Sequence, residues 1–355
     1  MVDLDNPEIF KKPGVEEILG HLKHFPLQCR KAWEQAMRLE LPQDYRDIDK
    51  VIVLGIGGSA IGGEIASRLV TEESKTPVWV HREYGLPVIP DEKTLVIASS
   101  YSGNTEETLC GFIQSMDTPA KKLTITTGGK LKQLAEEKGI PSFVIDYKSP
   151  PRMAFPHSFV PLVVIFQKLG LLGDKAADNK EMLGILEGLR AEYAESSPLA
   201  SNRAKQLAAS LYGRVAVIYG GGILSAVARR WKAQFNENGK SWAFFELLPE
   251  LNHNASVGYR FPLEIKDRMF VILLYSNLIN TRIRRHYEAS NALLVQEGIE
   301  HESIEARGVS ALSHIISLVY LGDYLTCYLA VLNETDPATL DAVDFVKSYL
   351  ARYID

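Results

Sequence analysis

One pattern constrains this chain most: a short apolar run, a glycine-rich loop and a helical segment, which occur in that order twice. The first copy has VIVL at residues 51–54, GIGGSA at 55–60 and helical periodicity to about residue 71. The second has VAVIY at 215–219, GGG at 220–222 and a helical pattern to about residue 237. Such apolar runs are typical of strands that are buried on both faces of a parallel sheet. Residue 51 aligns with residue 215, and this offset of 164 pairs Val51, Val53, Gly57 and Gly58 with Val215, Val217, Gly221 and Gly222.

The rest of the chain continues the alternation of strands and helices. Further strands are predicted at residues 78–81, 95–98, 123–126 and 143–145, with a helix at 104–116. Residues 95–97 lead to Ser100 in the same way as 270–272 lead to Ser276, which is a second internal similarity. The pattern is helical from about residue 159 to 207, with a turn at 173–174 and a break near 197–198. Alternation of this kind predicts an α/β fold with parallel sheets flanked by helices.

Length and internal similarity together predict two pseudo-duplicated units. At about 150 residues per domain, 355 residues correspond to roughly two domains. We expect N-terminal helices and the first unit in residues 1–155, a helical connector in 156–205, and the second unit with C-terminal helices in 206–355.

Composition excludes several classes of protein. Lys and Arg number 39 against 44 Asp and Glu, so the net charge of −5 gives no overall basic field for nucleic acid or an anionic membrane. The apolar stretch 309–332 is interrupted by His314 and Asp323, and we interpret it as a core or subunit-interface helix. The acidic N-terminus does not resemble a signal peptide. Three cysteines without a CxxC pair fit a reducing cytoplasm, and the sequence contains no metal-ligand spacing such as HExxH.

The loop at residues 55–60 allows more than one interpretation. It fits the pattern GxGxxA between a strand and a helix, which can bind the pyrophosphate of a dinucleotide. Glu83, after the second strand, would then bind a ribose hydroxyl, as in a nicotinamide-dependent dehydrogenase. The alternative is a tight turn that only requires glycines.

A second loop favours a phosphate site. Residues 99–108 read SSYSGNTEET, with hydroxyl groups at Ser100, Ser102, Thr105 and Thr108 around Gly103. Hydroxyls and backbone N–H groups at a helix N-terminus suit a compact anion such as a phosphate monoester. The alternative is that Ser102 or Asn104 only caps the following helix.

A third group of residues suits proton transfer. Glu237 lies at the end of a predicted helix, and His253 follows sixteen residues later between Asn252 and Asn254. The two amides are expected to fix the tautomer of the ring or to hold a sugar hydroxyl. A carboxylate and an imidazole near a phosphate site are the groups needed to move protons on a sugar phosphate. The arginines at 229–230 and at 282, 284 and 285 are predicted to lie on solvated helix faces or in dimer contacts.

Seven motifs, in order, resemble the bifunctional phosphoglucose/phosphomannose isomerases of the SIS (sugar isomerase) superfamily. They are GIGGSAIGGE (55–64), SSYSGNTEET (99–108), PRMAF (151–155), NENGK (236–240), ELNHN (250–254), LGDYLTCYLAVL (321–332) and DPATLDAVDFVK (336–347). The resemblance implies two flavodoxin-like SIS units and a homodimer with shared active sites.

The resemblance also implies a role for each matching residue. The substrate phosphate would be held by Gly57, Gly58, Ser59, Ser100, Ser102 and Thr105. Glu237 would move a proton between C1 and C2, and Arg152 would stabilise the cis-enediolate. His253, from the partner subunit, and Lys347 would assist ring opening, while Thr339 is the candidate for accepting the C2 epimer. No metal or cofactor is implied.

Three functions therefore follow from the sequence. The first is a metal-independent isomerase that interconverts glucose 6-phosphate or mannose 6-phosphate with fructose 6-phosphate. The second is a non-catalytic sugar-phosphate-binding protein with the same fold, which would not need Glu237, Arg152, His253 and Lys347. The third is the dehydrogenase suggested by the glycine loop and Glu83.

Overall fold

Two parallel sheets organise the molecule. The computed structural model describes residues 2–352, and nine strands lie within that range. The first sheet contains β1 (Lys50–Leu54), β2 (Val78–His81), β3 (Thr94–Ser99), β4 (Lys121–Thr126) and β5 (Ser142–Val144). The second contains β6 (Val215–Gly221), β7 (Ala243–Leu248), β8 (Met269–Tyr275) and β9 (His301–Glu305).

Helices surround both sheets. They are α1 (Pro13–Lys23), α2 (Phe25–Arg38), α3 (Gly57–Glu73), α4 (Glu106–Ser115), α5 (Gly129–Glu137), α6 (Phe155–Lys168), α7 (Ala176–Tyr193), α8 (Arg203–Leu211), α9 (Ser225–Glu237), α10 (Leu263–Lys266), α11 (Thr281–Glu297), α12 (Ala311–Leu332) and α13 (Asp341–Leu350). Local signals set several ends: the side chains of Asn202 and Ser310 accept hydrogen bonds from backbone N–H groups at the start of α8 and α12, and α11 ends at Gly298 with a φ of 65°.

The strand orders of the two sheets match. They are β2-β1-β3-β4-β5 and β7-β6-β8-β9, so the first strand of each unit lies between its second and third strands. This is the flavodoxin-like order, and it confirms the predicted α/β fold with two similar units. A Rossmann dinucleotide fold places its first strand between the second and the fourth. The topology therefore argues against the dehydrogenase interpretation.

The glycine loops are equivalent, but at an offset of 165. Gly57 and Gly222 each begin a helical segment and each have a φ of +54°, in the left-handed region that favours glycine. The predicted pairing of Gly57 with Gly221 was therefore wrong by one residue. A run of three glycines carries no side chain that could fix the register, so only the backbone conformation reveals it. At the second similarity, Ser100 and Ser276 both directly follow their strands, as predicted.

Helix α12 lies at the centre of the molecule. Every residue from Leu312 to Leu332 is buried, and the helix packs against α7, α8 and α9. By length and composition it is the one helix within residues 2–352 that could cross a membrane, and its whole apolar window is buried inside the protein. The prediction of a core helix is thus confirmed.

The helical region between the sheets is integrated with both. Helix α6 begins at Phe155, four residues before the predicted start, and packs against α2 and α3. Helices α7 and α8 pack against α12. The domain boundaries at 155/156 and 205/206 stay a prediction.

Candidate active site

The glycine loop places the start of α3 against the segment that carries Arg152. A Cβ atom added at Gly58 would lie 3.2 Å from the carbonyl oxygen of Pro151, so glycine permits this close approach. Ser59, in the first turn of α3, is buried, and its Oγ accepts a hydrogen bond of 3.2 Å from the backbone N–H of Tyr101. The two loops predicted to bind phosphate are therefore joined directly.

The hydroxyl loop is organised by internal hydrogen bonds. The Oγ of Ser100 lies 2.8 Å from the Oγ1 of Thr105 and accepts a bond of 3.1 Å from the N–H of Gly103. Ser102 is exposed, and its Oγ accepts a bond of 3.2 Å from the N–H of Asn104. Thr105 occupies the N-cap of α4 without a side-chain capping bond. Neither Ser102 nor Asn104 caps α4, so helix capping does not account for these hydroxyls.

Four of the predicted site residues line one cavity. Its volume is about 240 Å³, and Gly57, Gly58, Arg152 and Glu237 all contribute to its wall. The first two come from the start of α3, Arg152 from the 3-10 helix Pro151–Ala154, and Glu237 from the end of α9. Residues that are far apart in the sequence thus converge where the two units meet.

Arg152 is buried and almost fully hydrogen-bonded. Its Nε donates to the Oδ1 of Asn238 at 2.7 Å, and its Nη2 donates to the carbonyls of Pro337 and Ala338 at 2.6 and 3.2 Å. Its Nη1 is buried and has no hydrogen-bonding partner among residues 2–352. Burial lowers the pKa of Arg152, and the nearby Glu237 carboxylate opposes this. A guanidinium group stays charged at any accessible pH, so Nη1 is a buried cationic donor without an acceptor in this part of the chain.

Glu237 is the last residue of α9, and its side chain is half-buried. The chain then turns at Lys240, which has a φ of +52°. The Nζ of Lys240 donates to the carbonyls of Glu237 and Thr339, and burial lowers its pKa. Thr339 is exposed, and this lysine bond holds it beside the end of α9.

His253 lies outside this cavity in the single chain. It is exposed on the 3-10 helix Glu250–His253. The amide of Asn252 bonds to Ser290 and His286, and that of Asn254 bonds to Glu250. The flanking amides therefore do not fix the ring of His253, contrary to the expectation from the sequence, because the fold supplies them with other partners.

Lys347 lies on α13, whose residues are all exposed. This helix displays apolar side chains to solvent: Phe345 is 69% and Leu350 is 55% exposed. Trp242, next to the edge strand β7, is 77% exposed. Single exposed apolar residues are ordinary, but a helix with such a face is typical of a surface that a partner covers.

The prediction of a solvated helix face was wrong for Arg230, whereas the side chain of Arg229 is 42% exposed. Arg230 is 2% exposed, and its Nη2 donates to both carboxylate oxygens of Asp323 at 2.9 and 2.8 Å. Burial raises the pKa of Asp323, and Arg230 opposes this shift. Both arginines line the cavity. A lone carboxylate in an otherwise apolar helix needs a buried partner, and Asp323 could have signalled one.

Sequence reasoning missed a second charged cluster beside the cavity. Glu64 pairs with Arg82 and with Arg229, whose Nε lies 3.1 Å from the Oε1 of Glu64. Glu64 belongs to α3 and Arg229 to α9, so this cluster joins the two units. Two guanidinium groups against one carboxylate leave an excess positive charge at the cavity wall.

Residues for the alternative chemistries are not assembled. Glu83 is exposed and does not line the cavity. Across residues 2–352, no three His, Cys, Asp or Glu side chains are grouped closely enough to hold a metal ion.

Comparison with known proteins gives consistent results. A family model described as the C-terminal SIS domain of bacterial phosphoglucose isomerase matches residues 200–350. A bifunctional phosphoglucose/phosphomannose isomerase from Caldicellulosiruptor bescii is 40% identical over 335 residues, which cover 94% of this chain and 98% of that protein. A D-glucosamine-6-phosphate 4-epimerase from Sulfolobus acidocaldarius is 34% identical over 226 residues, covering 63% of this chain and 68% of that protein.

The fold is also similar to a solved structure. A hypothetical protein from Thermus thermophilus superposes with a TM-score of 0.75, at 18% identity, over 98% of this chain and 92% of that one. At this identity the similarity concerns the fold alone.

Proposed function

Because the chain belongs to the family of bifunctional phosphoglucose/phosphomannose isomerases, we propose that it interconverts glucose 6-phosphate or mannose 6-phosphate with fructose 6-phosphate through a cis-enediol. One observation supports this most: the free Nη1 of Arg152 and the carboxylate of Glu237 belong to residues that line the same cavity. A base and a cation on one small cavity suit proton abstraction next to a carbonyl group.

Glu237 acts as the base. It removes the proton from C2 of the open-chain aldose phosphate, and the electron pair forms the C1–C2 double bond while O1 gains negative charge. Transfer of the O2 hydroxyl proton to O1 and return of the carbon-bound proton to C1 then form the C2 carbonyl group of the ketose. The planar enediol can receive its proton at C2 from either face, so one site can serve the gluco and manno epimers. Placed acid–base groups of this kind contribute ~10²–10⁴-fold to the rate.

Arg152 stabilises the enediolate. Its Nη1 carries two N–H groups that have no acceptor among residues 2–352, and they suit the developing negative charge on a substrate oxygen. Because the group is already buried and fixed by its other bonds, little reorganisation is needed when the charge appears.

The phosphate group lies between the start of α3 and the hydroxyl loop. This loop contains Ser100, Ser102 and Thr105, and Ser59 links it to the glycine turn. Neutral donors and the N-termini of α3 and α4 hold a dianion without a metal ion.

The active form is a homodimer in which His253 reaches the cavity of the partner subunit. In the single chain His253 is exposed and lies outside the cavity. A partner subunit would bury the exposed apolar side chains of α13. Lys347, on the same helix, is brought toward a site by that contact. A cytoplasmic location fits the three free cysteines.

A coupled assay on the purified protein tests the proposed function. We expect conversion of both aldose phosphates to fructose 6-phosphate, unchanged by EDTA. Glucosamine 6-phosphate is tested in parallel, and its epimerisation would instead identify the protein as an amino-sugar epimerase. Tight binding of fructose 6-phosphate without any turnover would support the non-catalytic alternative, and activity lost in EDTA and restored by zinc would contradict the mechanism.

A further inference from the structure

The hydrogen bonds of Arg152 select one of its nitrogen atoms for the substrate. A guanidinium group has five N–H groups in a fixed plane. Those on Nε and Nη2 have three acceptors: Asn238 Oδ1 and the carbonyls of Pro337 and Ala338. The two on Nη1 have none among residues 2–352, although the atom is buried. The bonds on Nε and Nη2 therefore fix the guanidinium plane of a residue that lines the cavity.

Asn238 is the side chain that fixes this plane. It directly follows Glu237 and is fully buried. Its Oδ1 accepts from the Nε of Arg152 at 2.7 Å, and its Nδ2 donates to the Oγ1 of Thr326 at 3.2 Å. The amide that anchors the arginine is thus held by a residue of α12 that does not line the cavity.

Thr326 determines which way the amide of Asn238 points. Its hydroxyl donates to the carbonyl of Gly322 at 2.9 Å, with Asp323 O at 3.2 Å. With its only proton used, the Oγ1 can only accept from Asn238. The amide must therefore direct its NH₂ group toward Thr326 and its oxygen toward Arg152. If the amide were flipped, the Nδ2 of Asn238 would face the Nε of Arg152, and both groups are donors.

We infer that Asn238 and Thr326 are positioning residues for the isomerase reaction, which act through Arg152 by fixing its guanidinium group at the wall of the cavity. This inference rests on the proposed function. Because Asn238 adjoins Glu237, the same short segment of chain fixes both the base and the cation that act on the substrate.

Replacement of Thr326 tests the inference without altering the cavity wall. Thr326→Val keeps the shape and removes the hydroxyl, so the amide of Asn238 loses the hydrogen bond that holds its Nδ2. We expect kcat for fructose 6-phosphate to fall about 10-fold with KM within about twofold, because misplacement of a catalytic group affects the transition state more than binding. Thr326→Ser, which retains the hydroxyl, is expected to recover most of kcat.

A matched control separates this effect from general loss of stability. Thr124, on β4, is also fully buried, and its hydroxyl bonds to Ser142 away from the cavity. Thr124→Val is expected to lower the melting temperature with kcat unchanged. An equal loss of kcat in both valine variants would overturn the inference, as would Thr326→Val with normal kcat.

A double-mutant cycle tests whether Asn238 acts through Arg152. Asn238→Leu alone is expected to lower kcat about 100-fold. Arg152→Met leaves no N–H group to position. In that background, Asn238→Leu should lower kcat less than about threefold. Additive losses would contradict the inference while leaving the proposed function intact, since wild-type turnover tests that function separately. If Asn238→Leu fails to fold, the Thr326 variants decide.

Discussion

The guanidinium group of Arg152 is bonded to Asn238, the residue next to Glu237, although Arg152 and Asn238 lie 86 positions apart in the sequence. Asn238 Oδ1 accepts from Arg152 Nε at 2.7 Å, so one peptide unit separates the base from the anchor of the cation. This bond therefore ties the end of α9 to the segment that carries Arg152.

Replacing the base should abolish turnover and preserve binding. Glu237→Gln keeps the size of a half-buried side chain and removes its ability to accept a proton. We expect kcat to fall by at least about 10³-fold, with the dissociation constant of fructose 6-phosphate within about fivefold of the parent. A coupled assay and calorimetry measure the two quantities. Ready turnover by this variant would contradict the assignment of the base.

Charge alone should not replace Arg152. Arg152→Lys keeps a cation but cannot reach Asn238, Pro337 and Ala338 together while also presenting N–H groups to the substrate. We expect kcat to fall by about 10²–10³-fold, the usual loss when one preorganised donor to an oxyanion is removed. Steady-state kinetics with fructose 6-phosphate provide the measurement. A loss of less than about threefold would show that this donor is not used.

Mixing two inactive variants should restore activity if the sites are shared. Glu237→Gln and His253→Ala are each expected to have little activity. If His253 serves the partner's cavity, a mixed dimer has one site with both changes and one site with neither. Random exchange of equal amounts would then restore about a quarter of the parent activity.

The mixing experiment has a clear control. Chains that are mixed without time for exchange should stay inactive, and gel filtration before and after mixing reports the oligomeric state. If activity stays absent after full exchange, His253 does not act across the interface.

Gly103 should be required for phosphate binding. It has a φ of +70°, and an added Cβ would lie 1.8 Å from the carbonyl oxygen of Gly128. Gly103→Ala must therefore move the hydroxyl loop, and we expect KM to rise at least about 10-fold with a loss of about 2 kcal/mol in the free energy of unfolding. Gly139, with a φ of +63° and no atom within 4 Å of an added Cβ, is the control. Gly139→Ala should lower the free energy of unfolding by about 1 kcal/mol and leave KM unchanged.

His157 should make folding sensitive to mild acid. It is buried on α6, and neither ring nitrogen has a partner among residues 2–352. Burial lowers its pKa from 6.5 to about 4, with Asp146 opposing. The unfolded chain therefore binds a proton that the folded chain excludes, so stability is complete above pH 6.5 and falls as the pH drops toward 4.

Urea unfolding of the wild type and His157→Phe at about pH 7.5 and about pH 4.8 measures this contribution, since these values lie above and within the window where the histidine titrates. Other acidic and basic groups affect both proteins alike, so the difference between them isolates the histidine. The wild type should lose about 1 to 2 kcal/mol more than the variant between the two values. Equal losses would mean that the folded protein accommodates the protonated ring.

Sequence patterns predicted the central strands and failed at the edges of the second sheet. β1, β3 and β6 are covered on both faces, so their residues are almost entirely apolar and easily recognised. β7 and β9 are edge strands, with exposed or half-buried positions such as Phe244 and Glu302, and their patterns do not distinguish a strand from a loop.

Site residues were predictable where a motif is local and not where partners come from distant segments. The hydroxyl loop lies within ten residues, so its convergence follows from a single strand-to-helix turn. Asp323 and Arg230 are 93 residues apart, and no local pattern joins them. The prediction that the amides beside His253 fix its ring was wrong, because Ser290 and His286 come from α11, which the sequence does not place nearby.

The ends of β3 and β8, the third strands of the two units, differ in their surroundings. Ser276, the counterpart of Ser100, is buried and bonded to His314 on α12, which seals that strand end with the molecule's own side chains. In the first repeat, the exposed Ser102 follows the corresponding strand, while the second repeat contributes the end of α9 to the cavity. Under the proposed function, anion binding thus depends on a loop of the first repeat and proton transfer on a helix end of the second, so substitutions at these two places would affect different steps.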